Sequence, residues 1–362
     1  MSNVRSFANP FEIVDRTNDI NLVPNTWGLL NELGLFTEES VAQNTITFES
    51  TSGTIAVIPD QIRGARNNVN KDDNRIIKAF SLTHHPLDDY VTPQDVAGKR
   101  AYGSDNVETK DAVLARKLAR IRQNQAITLE AARWSTLTTG QQFNPNGTIG
   151  SLSFYTDFNV TRKEIDFVLG TAGTEVPEKS EEGIAHIQDN LLSGEVATEF
   201  VAFCSPVFFA KLIKQAGVKE AYKYYASVQE PLRNRLGGGG VYRRFVNWNV
   251  RYIEVRGSYN GSAFIPSGDA YMVPMGTQDT FKTFFGPANK FELVNTLGEK
   301  VYAWTYSDAK GEKIEIQSES NFLNLLAKPQ AIVRLYSSNW LDSTRGLDPL
   351  FVVVYNEVLQ QK

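Results

Sequence analysis

The chain has 362 residues, 41% of them hydrophobic and 22% charged, with a net charge of −4. That length allows two or three domain-sized units, the composition suits a globular protein with a sizeable core, and the acidic balance argues against a dedicated nucleic-acid binder. The single cysteine, Cys204, excludes an internal disulfide framework and fits a reducing compartment; its apolar setting, EFVAFCSPVFF, reads as a buried, inert thiol.

Residues 1–43 are mixed, with turn signals at Asn9-Pro10 and Val23-Pro24-Asn25 and no apolar run of signal-peptide length. The block WGLLNELGLF, with Trp27, Leu29, Leu30, Leu33, Leu35 and Phe36, predicts an arm with a short helix or turn docked by its apolar side. From residue 44 the pattern changes. NTITFES alternates, Ile46 and Phe48 against Thr45, Thr47 and Glu49, as a half-buried strand does. GTIAVI (53–58) is a second β-prone run and RIIKAFSLT (75–83) a third, with Ile77, Ala79 and Ser81 opposite Ile76, Lys78 and Phe80. Between them PDQIRGARNNVNKDDN lacks a core pattern. The expectation is a long antiparallel ribbon whose tip carries Arg63, Arg66, Lys71, Asp72 and Asp73. A ribbon of two or three strands is not stable alone in water, so it lies on another surface, its own or a neighbour's.

HHPLDDY (84–90) follows, and Val91 to Gly98 leads into the most regular stretch, Glu108 to Thr139. Leu114, Leu118, Ile121, Leu129 and Ala132 recur at three- and four-residue steps, acceptors stand at Glu108, Thr109 and Asp111, and Gly140 stands at the end. This predicts one helix of about 45 Å. It is an amphipathic helix packed on a sheet, or a strut, with a basic flank of Arg116, Lys117, Arg120 and Arg122.

Asn144-Pro145-Asn146-Gly147 signals a turn, and Tyr155 to Val160 reads as extended. Glu178 to Asn190 is helical in period, Glu199 to Cys204 is an apolar strand, and Ser205-Pro206 starts a helix read through Ala226. QEPLRNRLGGGGV, with Arg233, Arg235 and Gly237, Gly238, Gly239 and Gly240, is a flexible loop. Phe245 to Tyr252, Ala270 to Pro274 and Phe281 to Phe285 read as strands, which makes residues 178–306 a mixed α/β block. Lys313 to Ser318 alternates, Pro329 to Ser337 is a strong strand, and FVVVY (351–355) is a last one.

The residues offer no catalytic constellation. His84 and His85 are adjacent, so on a strand they point to opposite faces and do not share a metal; His186 lies alone. HExxH, CxxC and GxSxG are absent, and the four glycines lack the Lys-Ser/Thr of a phosphate-binding loop. No enzyme, cofactor or metal is expected. No stretch approaches the roughly 18 apolar residues of a membrane span, so no membrane partner is expected either. Tyr222, Tyr224, Tyr225, Tyr242, Phe245 and Trp248 suit core packing or subunit contacts.

Several stretches resemble one family. IIKAFSLTHHPLDDYVTPQDVAGKR, ending in Val96, Gly98 and Arg100, is similar to the exit from the extended loop of tailed-phage major capsid proteins of the lambda gpE-like kind (major capsid protein E). ETKDAVLARKLARIRQNQAITLEAARWSTLTTG, with Arg133 and Leu137, resembles that family's spine helix. DAYMVPMGTQDTFKTFFGPAN and NFLNLLAKPQAIVRLYS (Asn321 to Ser337) are similar to its later strands. The resemblance covers residues 40–337 and implies an α+β, Hong Kong 97-type fold.

On that resemblance, 1–43 is an N-terminal arm, 44–107 the extended loop (E-loop) and lead-in, 108–140 the spine helix, 141–177 with 307–336 the peripheral domain, 178–306 the axial domain and 337–362 a C-terminal extension. It implies homo-pentamers and homo-hexamers in an icosahedral virion shell around double-stranded DNA, assembled in the bacterial cytoplasm. The implied partners are a separate scaffolding protein, a portal and a decoration protein. The E-loop tip would contact neighbouring subunits. Arg116, Lys117, Arg120 and Arg122 would form intersubunit ion pairs or face DNA, and the glycine loop would sit at the capsomer axis. An encapsulin-type compartment shares the implied fold and is the alternative.

Overall fold

The computed structural model describes residues 13–15, 17, 20, 28–52, 74–97, 109–146, 152–171, 174–191, 195–215, 217–219, 243–259, 261–308 and 310–338. The expected elements at 53–58 and 351–355, the ribbon tip and the glycine loop lie outside these residues. Two compact units are present, one drawn from 1–161, 192–195 and 277–329, the other from 162–191, 196–276 and 330–362.

The first unit is built on the 13-residue strand Ile314–Leu326. Thr83–Val91 pairs with it antiparallel, from Phe322 opposite Thr83 to Ile314 opposite Val91. Tyr302–Ser307 and then Phe281–Phe285 pair with it antiparallel too, at successive positions along its length. Ile13–Asp15 joins Tyr302–Ser307, and Thr37–Ser40 runs parallel to Phe281–Phe285. The polar sequence THHPLDDYV does not advertise a strand. It forms one because Thr83, His85, Leu87, Asp89 and Val91 alternate inward against the exposed His84, Pro86, Asp88 and Tyr90. Pro86 is tolerated because, among the described residues, this strand has a partner on one side only.

The predicted helix spans Lys110–Thr139, 30 residues. Thr109 Oγ1 accepts from Ala112 N at 3.3 Å, which caps the start. Gly140 ends it in the left-handed conformation at φ 69°, its N–H donating to Thr136 O. Val113, Leu114, Leu118 and Ile121 pack with Val91, Val301, Ala303 and Ile316. Further along, Ala132 packs with Phe285 and Phe322. The helix therefore lies along the sheet, and its apolar stripe seals one face of it.

The ribbon is present: Thr45–Ser52 and Asn74–Ser81 pair antiparallel from Thr45 opposite Ser81 to Ser52 opposite Asn74. Its base rests on its own unit. The Phe48 ring lies 5.5 Å from Phe158 and the Phe80 ring 5.6 Å from Phe154, while Lys78 reaches Asp157 at 3.9 Å. The stretch 155–160, expected to be extended, instead begins with the helical turn Phe154–Asp157, because burying Phe154 under the ribbon curls the chain there.

The second unit holds a mixed six-stranded sheet in the order Lys163–Asp166, Val333–Tyr336, Ala270–Met275, Glu199–Cys204, Val250–Glu254, Arg244–Asn247. The central strands AYMVPM and EFVAFC are buried along almost their whole length, and Val176–Asn190 supplies Val176 and Ile187 to the same core. Two expectations change here. The run Phe245 to Tyr252 is a hairpin, turning at Trp248 and Asn249, whose φ values of 48° and 58° are those of a two-residue primed turn. The helix read through Ala226 is interrupted after Leu212, where buried Gln215 donates to Leu169 O and Thr171 O at 2.8 and 3.0 Å; residues 217–219 are helical again, and 220–226 lie outside the described residues.

The compact units also divide the chain elsewhere than the sequence suggests. Residues 277–306, read as axial, sit in the first unit because Phe281–Phe285 and Tyr302–Ser307 pair with Ile314–Leu326. Residues 162–177 and 330–336, read as peripheral, sit in the second because Lys163–Asp166 and Val333–Tyr336 extend its sheet.

A Cβ on Gly140 would lie 2.1 Å from the Tyr155 ring and would have to occupy a left-handed backbone. Gly140→Val is expected to lower stability by about 2–4 kcal/mol, combining backbone strain with steric overlap. A thermal midpoint equal to the parent's would refute this account of the helix stop.

Candidate functional site

The underside of the long helix is polar where the sequence shows only an apolar stripe. Arg133 is 1% exposed. Its Nε and Nη2 donate to Thr283 Oγ1 at 3.2 Å, its Nη2 to Glu38 Oε1 at 2.9 Å and its Nη1 to Asn31 Oδ1 at 3.4 Å. Thr283 Oγ1 donates onward to Asn324 Oδ1 at 2.8 Å. The Phe36 ring covers the guanidinium, 5.4 Å from centroid to Cζ. One side chain thus joins the arm, the edge strand Thr37–Ser40 and the inner strands of the first sheet.

One turn earlier, Glu130 Oε1 accepts from Leu30 N and from Trp134 Nε1, both at 2.9 Å. That bond holds the short arm helix Leu29–Leu33, which buries Leu29 and Leu30 as the apolar block predicts. Burial pushes the Glu130 carboxyl above its usual value, and the Leu30 N–H, Arg133 and Trp134 offset only part of this. Burial also acts to raise Glu38, but Lys300 and Arg133 outweigh it and hold that carboxyl below its usual value. Toward the other end of the helix, Gln125 Nε2 donates to His85 O at 3.2 Å, and Lys117 pairs with Asp89 at 2.9 Å and donates to Tyr90 O.

The four basic residues of the helix do not form one surface. Arg116 and Arg120 are exposed and one turn apart. Lys117 is committed to Asp89 and lies 5.6 Å from the Tyr90 ring. Arg122 is 8% exposed, under the helix, where burial pulls its guanidinium below the usual range. The ribbon-tip set Arg63, Arg66, Lys71, Asp72 and Asp73, and the loop set Arg233, Arg235 and Gly237 to Gly240, lie outside the described residues. Just after that loop, Arg243 and Arg256 flank the buried carboxylate of Glu254, Arg256 at 2.7 Å. Burial acts to raise Glu254, and the two arginines more than reverse it.

His84 and His85 do face apart. His84 Nδ1 lies 2.7 Å from Asn321 Oδ1, while His85 stacks on Phe322 at 4.6 Å, and burial brings its pKa down to about 4. Cys204 is fully buried, which pushes its thiol well up. Glu38, Glu130 and Arg133 were not singled out as a site from the sequence. The available signal was a Glu and an Arg three apart inside an otherwise apolar stripe.

Comparison with known proteins is consistent over nearly the whole length. The family described as phage major capsid protein E matches residues 15–337. The major capsid protein of Pseudomonas phage KPP10 is 45% identical over 347 residues, covering 92% of this chain and 99% of its own. That of Salmonella phage Felix O1 is 27% identical over 357 residues, covering 89% and 95%. Among solved structures, the mature capsid of bacteriophage PhiM1 aligns over 84% of this chain and 85% of its own, at 11% identity and a TM-score of 0.49.

The Glu130 geometry has a pH consequence. A carboxyl raised in the folded state favours folding below the ordinary glutamate value and costs stability as pH rises from there through the folded value. Glu130→Gln keeps an acceptor for Leu30 N but removes the ionisation. The variant should therefore gain stability relative to the parent as pH rises above the ordinary glutamate value, read as a growing difference in thermal midpoint. A midpoint difference that does not change with pH would contradict it.

Proposed function

This chain belongs to the phage major capsid protein E family, and on that premise we propose that it is the subunit of an icosahedral phage shell. It assembles with itself as pentamers and hexamers around double-stranded DNA, in a Hong Kong 97-type arrangement, and its role is structural, not catalytic. The observation that carries the reading is the ribbon. Its base has two strands, and the outward face of Asn74–Ser81 leaves Ile77 56% exposed. A two-stranded ribbon is marginal in water. Among the described residues, aromatic contacts from Phe154 and Phe158 support it near Phe48 and Phe80. A neighbouring subunit supplies the missing surface further out, where the charged tip residues lie in sequence.

The first unit, with the long helix, corresponds to the peripheral domain and the E-loop, and the second, with the mixed sheet, to the axial domain. The glycine loop lies at the capsomer axis, where five- and six-fold rings need different geometry. Among the helix residues, exposed Arg120 is the one that serves an intersubunit or DNA contact; Lys117 is engaged by Asp89 and Arg122 is buried. A net charge of −4 makes contact with packaged DNA weak and non-specific. Scaffolding and portal proteins act as separate partners, a decoration protein is a further candidate partner, and assembly takes place in the bacterial cytoplasm. An encapsulin-type compartment is disfavoured by the close relation to a protein named as a phage major capsid protein.

Two experiments test the arrangement. Replacing Pro59 to Asn74 by a short Gly-Ser link should leave a folded subunit, judged by circular dichroism, that makes no particles by negative-stain microscopy. Normal particles from this deletion would exclude a ribbon tip that binds a neighbour. Second, Gly238→Pro combined with Gly239→Pro should disturb the mix of five- and six-fold capsomers and broaden the particle-size distribution. Particles of unchanged size would remove the loop from the axis.

A further inference from the structure

Between Phe281–Phe285 and Tyr302–Ser307, residues 286–301 cross the surface of the first unit through the 3-10 turn Phe291–Leu293. Phe291 is fully exposed there, Leu297 is 68% and Val294 57% exposed. Three large apolar side chains at a constant spacing of three thus stand in water within seven residues.

The segment is held firmly while it does so. Asn289 N donates to Glu319 Oε1 at 2.6 Å. Lys290 Nζ lies 4.8 Å from the Trp304 ring and hydrogen-bonds Tyr306 Oη. Leu293 packs on Ala288, Tyr302 and Trp304. At the far end Gly298 N donates to Val41 O at 3.1 Å, and a Cβ on Gly298 would lie 2.2 Å from Phe285 O. Anchored at both ends and at the middle residue Leu293, the segment is preorganised to present the other three apolar groups.

We propose that Phe291, Val294 and Leu297 form a contact with a second copy of this chain, a proposal that rests on the shell reading above. Charge and area identify the occupant. Glu292 and Glu299 are exposed beside the patch and the neighbouring Lys300 is already paired with Glu38, so the local balance is acidic and disfavours a polyanion, while a second copy offers an exposed counter-charge at Arg120. An aromatic side chain buries about 150–250 Å² and Val and Leu bury less, so Phe291, Val294 and Leu297 together fall short of the roughly 800 Å² per partner of a stable free-standing complex. A contact of that size suits a neighbour already held by other contacts, whose effective concentration makes up the difference.

Hydroxyl-radical labelling of the purified full-length chain, read by mass spectrometry, tests this with no other protein present. Phe291 and Leu297 should label strongly in dissociated subunits and at least about tenfold less in assembled particles, as complete burial requires. In parallel, Phe291→Ser with Leu297→Ser should keep the parent's thermal midpoint and raise the concentration needed for assembly by at least about tenfold, equivalent to 1.4 kcal/mol. If the double variant fails to fold, the labelling of the parent decides. Parent particles in which both side chains label as in free subunits would overturn the contact and leave the shell reading intact. Loss of label only when a second protein is added would overturn it as well, by assigning the patch to that protein. A parent chain that forms no particles would overturn the shell reading and this contact with it.

Discussion

A guanidinium that is 1% exposed has to be answered from several directions, and the answer given to Arg133 organises the first unit. Its donors fan out to Glu38, Asn31 and Thr283, which lie 95, 102 and 150 residues away in sequence. Removing a partner from a buried charge costs about 3–5 kcal/mol, whereas an unneeded buried pair adds little stability over an apolar one. The network's value is therefore in specification: the arm, the parallel edge strand and the inner strands satisfy Arg133 in one register. Glu130, one turn away, does the same for the arm helix through Leu30 N.

The rest of the unit follows from that anchoring. The long helix is tied to the sheet at Lys117, Gln125 and Arg133, at equal steps of eight residues or about 12 Å along its axis. Between the ties the apolar stripe fills the gap with Leu118, Ile121 and Ala132. A rigid strut of this kind suits a shell subunit, because the ribbon that precedes it in the chain must leave in a defined direction if it is to meet a neighbour. The same logic applies to residues 286–301, where polar anchors on one side hold apolar groups toward the solvent on the other.

Much of this was legible from local pattern. The helix limits came from Thr109 and Gly140, the ribbon strands from the alternation of Ile46 and Phe48 and of Lys78 and Phe80, and the buried strand from EFVAFC. Three features were not. THHPLDDYV hides a strand because its inward set mixes Thr, His and Asp, which are buried only through bonds to other elements, such as Thr83 Oγ1 to Phe322 O. Trp248 and Asn249 hide a hairpin because no glycine marks the left-handed turn. Of the candidate contact residues, Lys117 and Arg122 look like their neighbours Arg116 and Arg120 in sequence, and only the sheet beneath them separates the engaged and buried pair from the exposed one.

By itself, then, the amino-acid order determined the secondary elements whose signals are local, and the family to which their succession belongs. Period, capping and alternation act over a few residues and need no partner to be read. Tertiary structure alone decided which strands share a sheet, so that 277–306 joined the first unit and 162–177 the second. It also decided which charges are buried and which apolar groups are left outside. Those outcomes depend on hydrogen bonds and packing between residues a hundred or more positions apart, and no local pattern encodes them.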